Sequence, residues 1–243
     1  MRAIAVIPAR LQSTRLARKV LREIAGRPLI AHVYESMRRC PQLDDVIIAT
    51  DSDEILQLSE TRGFHARATS ADCRNGTERV HEIAKSWAAD LYINVQGDEL
   101  LARAEHIAAL VGLMGDSRVQ VGTLKVRATP EDIRNPNAVK VTTDKAGNAL
   151  YFSRSQIPYD RDGVGPSYFK HLGLYVYRKA ALDQYAKLPE SPLEQSERLE
   201  QLRFLENGIA IQVAETPFDT IRVDAEEDLE KAQAILKNRA RPD

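Results

Sequence analysis

The sequence has few cysteines and no long apolar run. Its 243 residues include two cysteines, Cys40 and Cys73, which form no Cys-x-x-Cys pair. This excludes a disulfide framework and the common zinc motifs, and it favours reduced thiols in the cytoplasm. No stretch approaches the roughly 18 apolar residues that cross a bilayer, and the apolar stretch 3–8 is too short for the core of a signal peptide. We therefore expect a cytoplasmic protein without a membrane partner.

An excess of charge of one sign is also missing. The chain has 34 Lys and Arg residues against 35 Asp and Glu residues, with no basic or acidic tail. Because there is no global basic field, we expect no nucleic-acid partner. The length suits one large α/β domain better than two independent ones, and no repeat or linker divides it. We therefore predict a single domain over residues 1–243.

Two common nucleotide-binding motifs are absent. No Gly-x-x-x-x-Gly-Lys-Ser/Thr string occurs, which excludes a P-loop enzyme. Gly163 and Gly165 begin a Gly-x-Gly-x-x-Gly pattern, but Tyr168 stands at its third glycine and the segment lies far from the first predicted strand. The sequence therefore argues against a nicotinamide-dependent dehydrogenase.

Strands and helices alternate in the first half of the chain. Short apolar runs predict strands at 4–8, 46–49 and 91–95, and helices are predicted after Pro28, after the cap residues 50–53 and around 107–114. This alternation is typical of an α/β fold with a mostly parallel, doubly wound sheet. The second half is more mixed. Strands are predicted there at 119–126, 138–142, 150–153, 172–177 and 209–213, with a leucine-striped helix at 199–205 that ends at Asn207-Gly208 and a closing helix at 225–238.

A basic loop follows the first predicted strand. In an open α/β sheet, ligands bind beyond the carboxyl ends of the strands. Cations and hydroxyls at this place suit a triphosphate, although a solvated basic loop is the alternative. The residues concerned are Arg10, Ser13, Thr14, Arg15, Arg18 and Lys19.

A carboxylate follows the strand at 91–95. The segment 94–99 reads Asn-Val-Gln-Gly-Asp-Glu, so Asp98 stands close to the end of an apolar strand. Such a carboxylate is well placed to hold Mg²⁺, which binds oxygen ligands from one or two carboxylates, phosphates and water. A simple turn at Gly97-Asp98 is the alternative.

Three further segments have weaker signals. Asp224 is a natural N-cap for the closing helix, and Glu227 would complete a capping box, so the residues alone favour capping over metal binding. Residues 76–79, Gly-Thr-Glu-Arg, open a helix whose N–H groups could meet a base, but helix initiation with Thr77 as cap is the stronger interpretation. His171 begins a predicted strand and, as a lone histidine, is interpreted as structural. The other histidines, His32, His65, His81 and His106, also show no metal-binding spacing.

Taken in order, these segments resemble the 3-deoxy-manno-octulosonate (Kdo) cytidylyltransferase family, also called CMP-Kdo synthetase. Each match alone is weak, but together they run almost end to end at family-like spacing. The matching segments are 7–10, 13–16 with Lys19, 25–30, 49–51, 76–79, 94–99, 135–140, 150–154, 170–173, 199–203 with 205–206, and 223–224 with 227–229.

The resemblance implies a nucleotide-diphospho-sugar transferase fold, a single nucleotidyltransferase domain and a homodimer. It implies Mg²⁺ as cofactor and the reaction of CTP with Kdo to give CMP-Kdo and pyrophosphate, which activates the sugar for lipopolysaccharide assembly. It also changes one interpretation made from the residues alone. Asp224 matches a metal ligand of the family, so metal binding is favoured there over capping alone.

The resemblance further implies roles for individual residues. Catalysis would rest on Arg10, Lys19 and Asp98, and the metal would be held by Asp98 and Asp224. The predicted CTP-binding residues are Ala9, Arg10, Ser13, Lys19, Asn75 and Gly76. The predicted sugar-binding residues are Arg79, Gln96, Arg154, His171, Glu200 and Gln201. Arg, Gln, His and Glu together suit a substrate with a carboxylate and several hydroxyls.

The sequence departs from the family pattern at several positions. Residues 16–21 read Leu-Ala-Arg-Lys-Val-Leu where the family commonly has Leu-Pro-Gly-Lys-Pro-Leu, and Leu100 replaces a proline. Asn75 replaces a serine, and Arg222 replaces a glycine two residues before Asp224. Arg222 could reshape the sugar pocket, so the substituent at C8 of the sugar stays open.

Other functions remain as alternatives. The enzyme could act on a modified Kdo, such as 8-amino-Kdo, or on another acidic sugar such as a sialic acid. A non-catalytic CTP-binding homologue is a second possibility, suggested by the altered segments 17–20 and 222–226. A glycosyltransferase would show an Asp-x-Asp motif, which Asp51-Ser52-Asp53 fits, but that string is better interpreted as a helix cap.

Overall fold

The computed structural model describes residues 1–12 and 16–239, with side chains in these ranges up to Lys237. The chain divides into two compact units, one formed by Met1–Glu105 with Thr220–Asp243 and the other by His106–Asp219. The single domain over 1–243 stays a prediction. No helix among the described residues has both the length and the apolar character needed to cross a membrane.

Every predicted strand and helix is present, together with short strands and helices that were not predicted. The strands are β1 Ala3–Ala9, β2 Glu23–Ile24, β3 Arg27–Pro28, β4 Asp45–Thr50, β5 Ala66–Ala68, β6 Leu91–Val95, β7 Glu99–Leu100, β8 Val121–Arg127, β9 Lys140–Thr143, β10 Ala149–Ser153, β11 Phe169–Tyr177, β12 Ile211–Glu215 and β13 Ile221–Arg222. The helices are α1 Leu29–Arg38, α2 Asp53–Thr61, α3 Gly76–Ser86, α4 Ala104–Leu113, α5 Pro130–Arg134, α6 Lys179–Tyr185, α7 Pro192–Glu197, α8 Leu202–Glu206 and α9 Glu226–Arg239.

Parallel strands in the order β6-β1-β4-β5 form the sheet of the first unit. Every residue of β1 is buried, as expected for the apolar run of a strand inside a parallel sheet. The chain passes from β1 to β4 on one side and later places β6 on the other side of β1. Such a reversal of strand order creates a crevice beyond the carboxyl ends of the two neighbouring strands, here β1 and β6.

Side-chain caps start two helices of this unit. The Ser52 hydroxyl accepts from the N–H of Ile55 at 3.4 Å, which confirms the predicted cap of α2. The cap of α3 is Asn75, whose Oδ1 accepts from the N–H of Glu78 at 2.9 Å. The prediction of Thr77 as the cap is wrong, because Thr77 lies inside the first turn of the helix.

The chain returns to the first unit through β13 and α9. Strand β13 pairs antiparallel with β7, placing Arg222 opposite Glu99, and the N–H of Val223 donates to the carbonyl of Asp98 at 3.0 Å. A buried apolar cluster holds this segment in place, so residues near the end of the sequence reach the loop after β6. The cluster consists of Leu16, Ile24, Leu29, Leu100, Val223, Leu229 and Ala232.

The second unit contains a mostly antiparallel sheet in the order β10-β9-β11-β8-β12. All five strands were predicted within about three residues of their ends, the usual uncertainty of boundaries read from sequence. The predicted leucine-striped helix is shorter than expected. Arg198 has a left-handed backbone conformation (φ 54°) that ends α7, and α8 begins only at Leu202, so Leu199 lies outside both helices.

A buried ion pair connects α7 to α8. Arg203, fully buried, donates from Nε and Nη2 to the two oxygens of Glu194 at 2.7 and 2.6 Å. The guanidinium also lies over the ring of Tyr185, 4.3 Å from its centroid. This bidentate ion pair joins residues on either side of the segment that carries Glu200 and Gln201.

We expect Arg203→Met to lower the free energy of unfolding by about 3–5 kcal/mol, because it leaves the carboxylate of Glu194 buried without its partner. Urea denaturation followed by circular dichroism measures this change. Lys179→Met is the matched control, since it breaks an exposed ion pair with Asp183 and should cost about 1 kcal/mol or less. Equal losses in the two variants would contradict the interpretation.

The loop before Lys19 contains a strained residue. Arg18 has φ 54° and ψ 33°, a left-handed conformation, immediately before the short 3₁₀ helix Lys19–Leu21. Its side chain is exposed and forms an ion pair with Glu54. A residue with a Cβ pays a steric penalty in this conformation, whereas glycine does not.

We predict that Arg18→Gly is more stable than Arg18→Ala by about 1 kcal/mol. Both variants lose the ion pair with Glu54, so the comparison isolates the backbone effect. Chemical denaturation of the two variants side by side is the measurement. An alanine variant as stable as the glycine variant would show that the left-handed conformation costs nothing here.

Candidate active site

The loop after β6 lies directly against the end of β1. The N–H of Gly97 donates to the carbonyl of Pro8 at 3.2 Å, and the N–H of Glu99 closes a turn onto the carbonyl of Gln96 at 2.9 Å. A Cβ at position 97 would lie 3.1 Å from that same Pro8 oxygen and 3.3 Å from Val20 Cγ1. A glycine therefore permits this close approach, and the turn sets Asp98 at the carboxyl edge of the sheet.

Lys19, Asp98 and Asp224 meet at this edge. The Nζ atom of Lys19 donates to Asp98 Oδ2 and, at 2.7 Å, to Asp224 Oδ1. The side chains of the lysine and the two aspartates are only 13%, 9% and 15% exposed. The structure thus brings together the predicted catalytic lysine and both predicted metal ligands.

A second cation approaches the two carboxylates. Arg222 Nε lies 3.5 Å from Asp98 Oδ2 and 3.3 Å from Asp224 Oδ2. Burial alone would raise the pKa of Asp98, but the charges of Arg222 and Lys19 hold that pKa below its ordinary value. The same carboxylates raise the pKa of Arg222. Asp98 is therefore ionised at neutral pH, as a metal ligand must be.

The carboxylate pair suits a hard divalent cation. The Oδ1 atom of Asp98 is buried and has no hydrogen-bond partner in the part of the chain that the structure describes. A buried oxygen of this kind is normally satisfied, and Mg²⁺ typically takes one or two carboxylates with phosphates and water completing its shell. Within 1–12 and 16–239 no group of three or more His, Cys, Asp or Glu side chains is arranged to hold a metal.

The start of α9 differs in detail from the predicted capping box. The N–H groups of Asp224 and Ala225 both donate to Asp228 Oδ2 at 2.9 Å. The carboxylate that accepts from these two N–H groups is therefore that of Asp228, one residue after the predicted Glu227. Meanwhile both carboxylate oxygens of Asp224 face cations, Oδ1 facing Lys19 and Oδ2 facing Arg222.

Predicted base- and sugar-binding residues lie together at the start of α3. A Cβ at Gly76 would lie 2.5 Å from Gln96 Nε2, so the glycine lets the amide of Gln96 rest against the first turn of the helix. Gln96 Nε2 also donates to Asn94 Oδ1 at 3.2 Å. The helix start, the Asn75 cap and the end of β6 thereby form one surface of the crevice.

Arg79 is engaged in an internal network. It is 3% exposed, and its guanidinium donates to Asp51 Oδ2 at 3.0 Å and to Thr69 Oγ1 at 2.6 Å. These contacts join the ends of β4 and β5 to α3. Asp51 and Thr69 were not predicted as partners of Arg79, although each of them stands directly after a strand that ends at this edge.

Ala9 is the last residue of β1, and Arg10 follows it directly. Ala9 is buried at the end of the strand, opposite Thr50 of β4. Arg10 is exposed directly after it. Ser13 lies outside the described residues.

Four predicted sugar-binding residues lie in the second unit. Arg154 donates to the carbonyls of Glu197 at 2.7 Å and Pro136 at 3.1 Å. His171 Nε2 lies 3.0 Å from Thr123 Oγ1, and its ring meets Phe152 edge-on. The remaining two follow α7 in the chain: Glu200 is half-buried, and Gln201 is 5% exposed.

Comparison with known proteins identifies the family. The family model described as "Cytidylyltransferase" matches residues 4–213. Two proteins named 3-deoxy-manno-octulosonate cytidylyltransferase are similar along their length. The one from Koribacter versatilis (strain Ellin345) is 60% identical over 98% of this chain and 92% of its own, and the one from Acidobacterium capsulatum is 53% identical over 98% of both chains.

A solved structure of CMP:2-keto-3-deoxy-manno-octonic acid synthetase, complexed with CTP, superposes with a TM-score of 0.93 and 39% identity. The match covers 98% of this chain and 100% of that one. It confirms the α/β fold of the nucleotide-diphospho-sugar transferase type that the sequence predicts. With the match of the family model and the two relatives, it shows that the chain belongs to the 3-deoxy-manno-octulosonate cytidylyltransferase family.

Proposed function

We propose that this protein is a CTP-dependent cytidylyltransferase that makes CMP-Kdo and pyrophosphate from CTP and Kdo, as a step towards lipopolysaccharide. The observation that carries the proposal is the cluster of Lys19, Asp98 and Asp224 in the crevice beyond β1 and β6. A crevice at this place in an α/β sheet is where nucleotides bind. The relatives named for this reaction support the same conclusion.

The chemistry is an in-line displacement at phosphorus. The anomeric hydroxyl of the sugar forms a bond to the α-phosphorus of CTP, the bond to the pyrophosphate oxygen breaks, and the hydroxyl proton is released. Lys19 and Arg10 neutralise the triphosphate and the leaving pyrophosphate. Asp98 and Asp224 would hold Mg²⁺, which when bound supplies charge to the phosphate oxygens and favours ionisation of the hydroxyl.

The remaining contacts divide into direct and positioning roles. Ala9, Ser13, Asn75 and Gly76 would contact CTP. Gln96 in the first unit, and separately His171, Glu200 and Gln201 in the second, are proposed as sugar contacts. Arg79 and Arg154 already donate to protein oxygens, so we assign them the positioning of the loops that they join. A homodimer and a cytoplasmic location belong to the same proposal.

The first test is pyrophosphate release with CTP, Mg²⁺ and Kdo, with 8-amino-Kdo and a sialic acid in parallel. We expect Kdo-dependent release that EDTA abolishes and that Asp98→Asn lowers by at least about 100-fold, the scale of losing a preorganised electrostatic group. Asp116→Asn, which changes an exposed carboxylate paired with Arg118, is the control and should keep full activity.

Release with the 8-amino sugar alone would keep the reaction and change the substrate. CTP binding without release for any sugar would contradict the enzyme proposal and favour the non-catalytic homologue.

The lowered pKa of Asp98 also makes a prediction about acid stability. The unfolded carboxyl titrates near 3.8, and the folded one titrates lower. The stabilisation from this group is therefore complete above the unfolded value and is lost as the pH falls through the folded value. We expect the difference in unfolding free energy between the wild type and Asp98→Asn, measured by urea denaturation, to shrink between about pH 6 and about pH 3. A difference that stays constant over this range would contradict the assignment.

A further inference from the structure

Arg222 is placed where it faces both predicted metal ligands. It lies on β13, and its Nε is 3.5 Å from Asp98 Oδ2 and 3.3 Å from Asp224 Oδ2. The Nζ atom of Lys19 donates to Asp98 Oδ2 and to Asp224 Oδ1. Three of the four carboxylate oxygens therefore already face a cation, and the fourth is the buried Oδ1 of Asp98.

The charges of these four side chains cancel. Two carboxylates face one ammonium and one guanidinium. The buried Glu99 carboxylate, which lies opposite Arg222 and accepts from the hydroxyl of Thr220, also attracts Arg222 and adds one further negative charge nearby. A free divalent cation that enters this cluster meets two positive groups a few ångströms away, and repulsion at that range can lower affinity by an order of magnitude. A cation bound to a triphosphate brings its own negative charge, so the repulsion is offset.

The two cations differ in their freedom to move. The side chain of Lys19 is 13% exposed and stands in the 3₁₀ helix at the end of the basic loop, whereas that of Arg222 is 51% exposed. A guanidinium on a half-exposed side chain can leave the carboxylates and pair with phosphate oxygens, for which its fork of donors is well suited. Arg222 is therefore the cation that can move away from the two carboxylates.

We propose that Arg222 is an internal counter-cation of the Asp98–Asp224 pair. It weakens the binding of free divalent metal to the two carboxylates, and it moves away from them when metal arrives bound to a nucleoside triphosphate. The proposal rests on the function proposed above for the same site. It makes Arg222 a positioning residue that sets the order of binding, with the metal–triphosphate complex as the species that the site accepts.

The test is the binding of Mn²⁺, followed by electron paramagnetic resonance, to the wild type and to variants without nucleotide. We expect Arg222→Gln and Arg222→Ala to bind free Mn²⁺ about tenfold more tightly than the wild type, because one positive charge is removed. Arg222→Lys keeps the charge and should stay within about twofold of the wild type. Arg39→Gln, which removes an exposed charge 4.0 Å from Glu35 on α1, is the matched control and should also stay within about twofold.

A second measurement locates the effect. Adding Asp98→Asn to Arg222→Gln should abolish the gain in Mn²⁺ affinity, and with CTP present the gain should fall below about threefold, because the triphosphate then supplies the compensating charge.

Unchanged free Mn²⁺ affinity in both uncharged variants would overturn the proposal. So would an equal gain in Arg39→Gln, a gain that survives Asp98→Asn, or a gain that persists in full with CTP bound. Failure of the proposed reaction is a separate result, since it appears as absent pyrophosphate release by the wild type and leaves the comparison of free Mn²⁺ affinities intact.

Discussion

The ammonium of Lys19, held by Asp98 and Asp224, is the interaction on which the candidate site depends. The lysine is 79 and 205 positions away from its partners in the sequence. Charges buried this deeply are costly unless they are paired, so the fold must bring all three segments to one place. The close approach of the two carboxylates follows from this arrangement, and the charges of Arg222 and Lys19 together keep the pKa of Asp98 below its ordinary value.

Two features of the first unit make that meeting possible. The strand order reverses at β1, which leaves the ends of β1 and β6 side by side, and Gly97 allows the loop after β6 to touch the end of β1. The apolar cluster around Val223 and Leu229 then holds β13 against β7 and fixes the start of α9. Packing of aliphatic side chains thus sets the distance between two carboxylates, and electrostatics acts on a geometry that hydrophobic burial has determined.

Three guanidinium groups, of which those of Arg79 and Arg203 are buried, hold loops next to predicted binding residues. Arg79 joins Asp51 to Thr69, and Arg154 connects the end of β10 to the carbonyl of Glu197. Arg203 pairs with Glu194, so the ion pair spans the segment that carries Glu200. Each uses several donors at once, which a lysine could not do in the same plane. Arg79 and Arg154, which the family resemblance suggests as sugar ligands, are thus already bonded to protein oxygens, and their replacement would disturb the loops that they join.

Local pattern in the sequence determined the longer strands, several helices and the fold class, because apolar periodicity and cap chemistry depend on neighbouring residues. It did not predict the short strands β2, β3, β5, β7 and β13 or the helices α5, α6 and α7. Ala3–Ala9 and Leu91–Val95 were predictable in this way, whereas the Asn75 cap and the break at Arg198 turned on backbone conformations that propensity alone does not specify. Their positions after predicted strands suggested Lys19 and Asp98, and the family resemblance added Asp224 as a metal ligand. Only the tertiary structure brings the three side chains together. The contact of Arg222 with both carboxylates was decided by the tertiary structure alone, because it requires the pairing of β13 with β7 across more than one hundred residues of intervening chain.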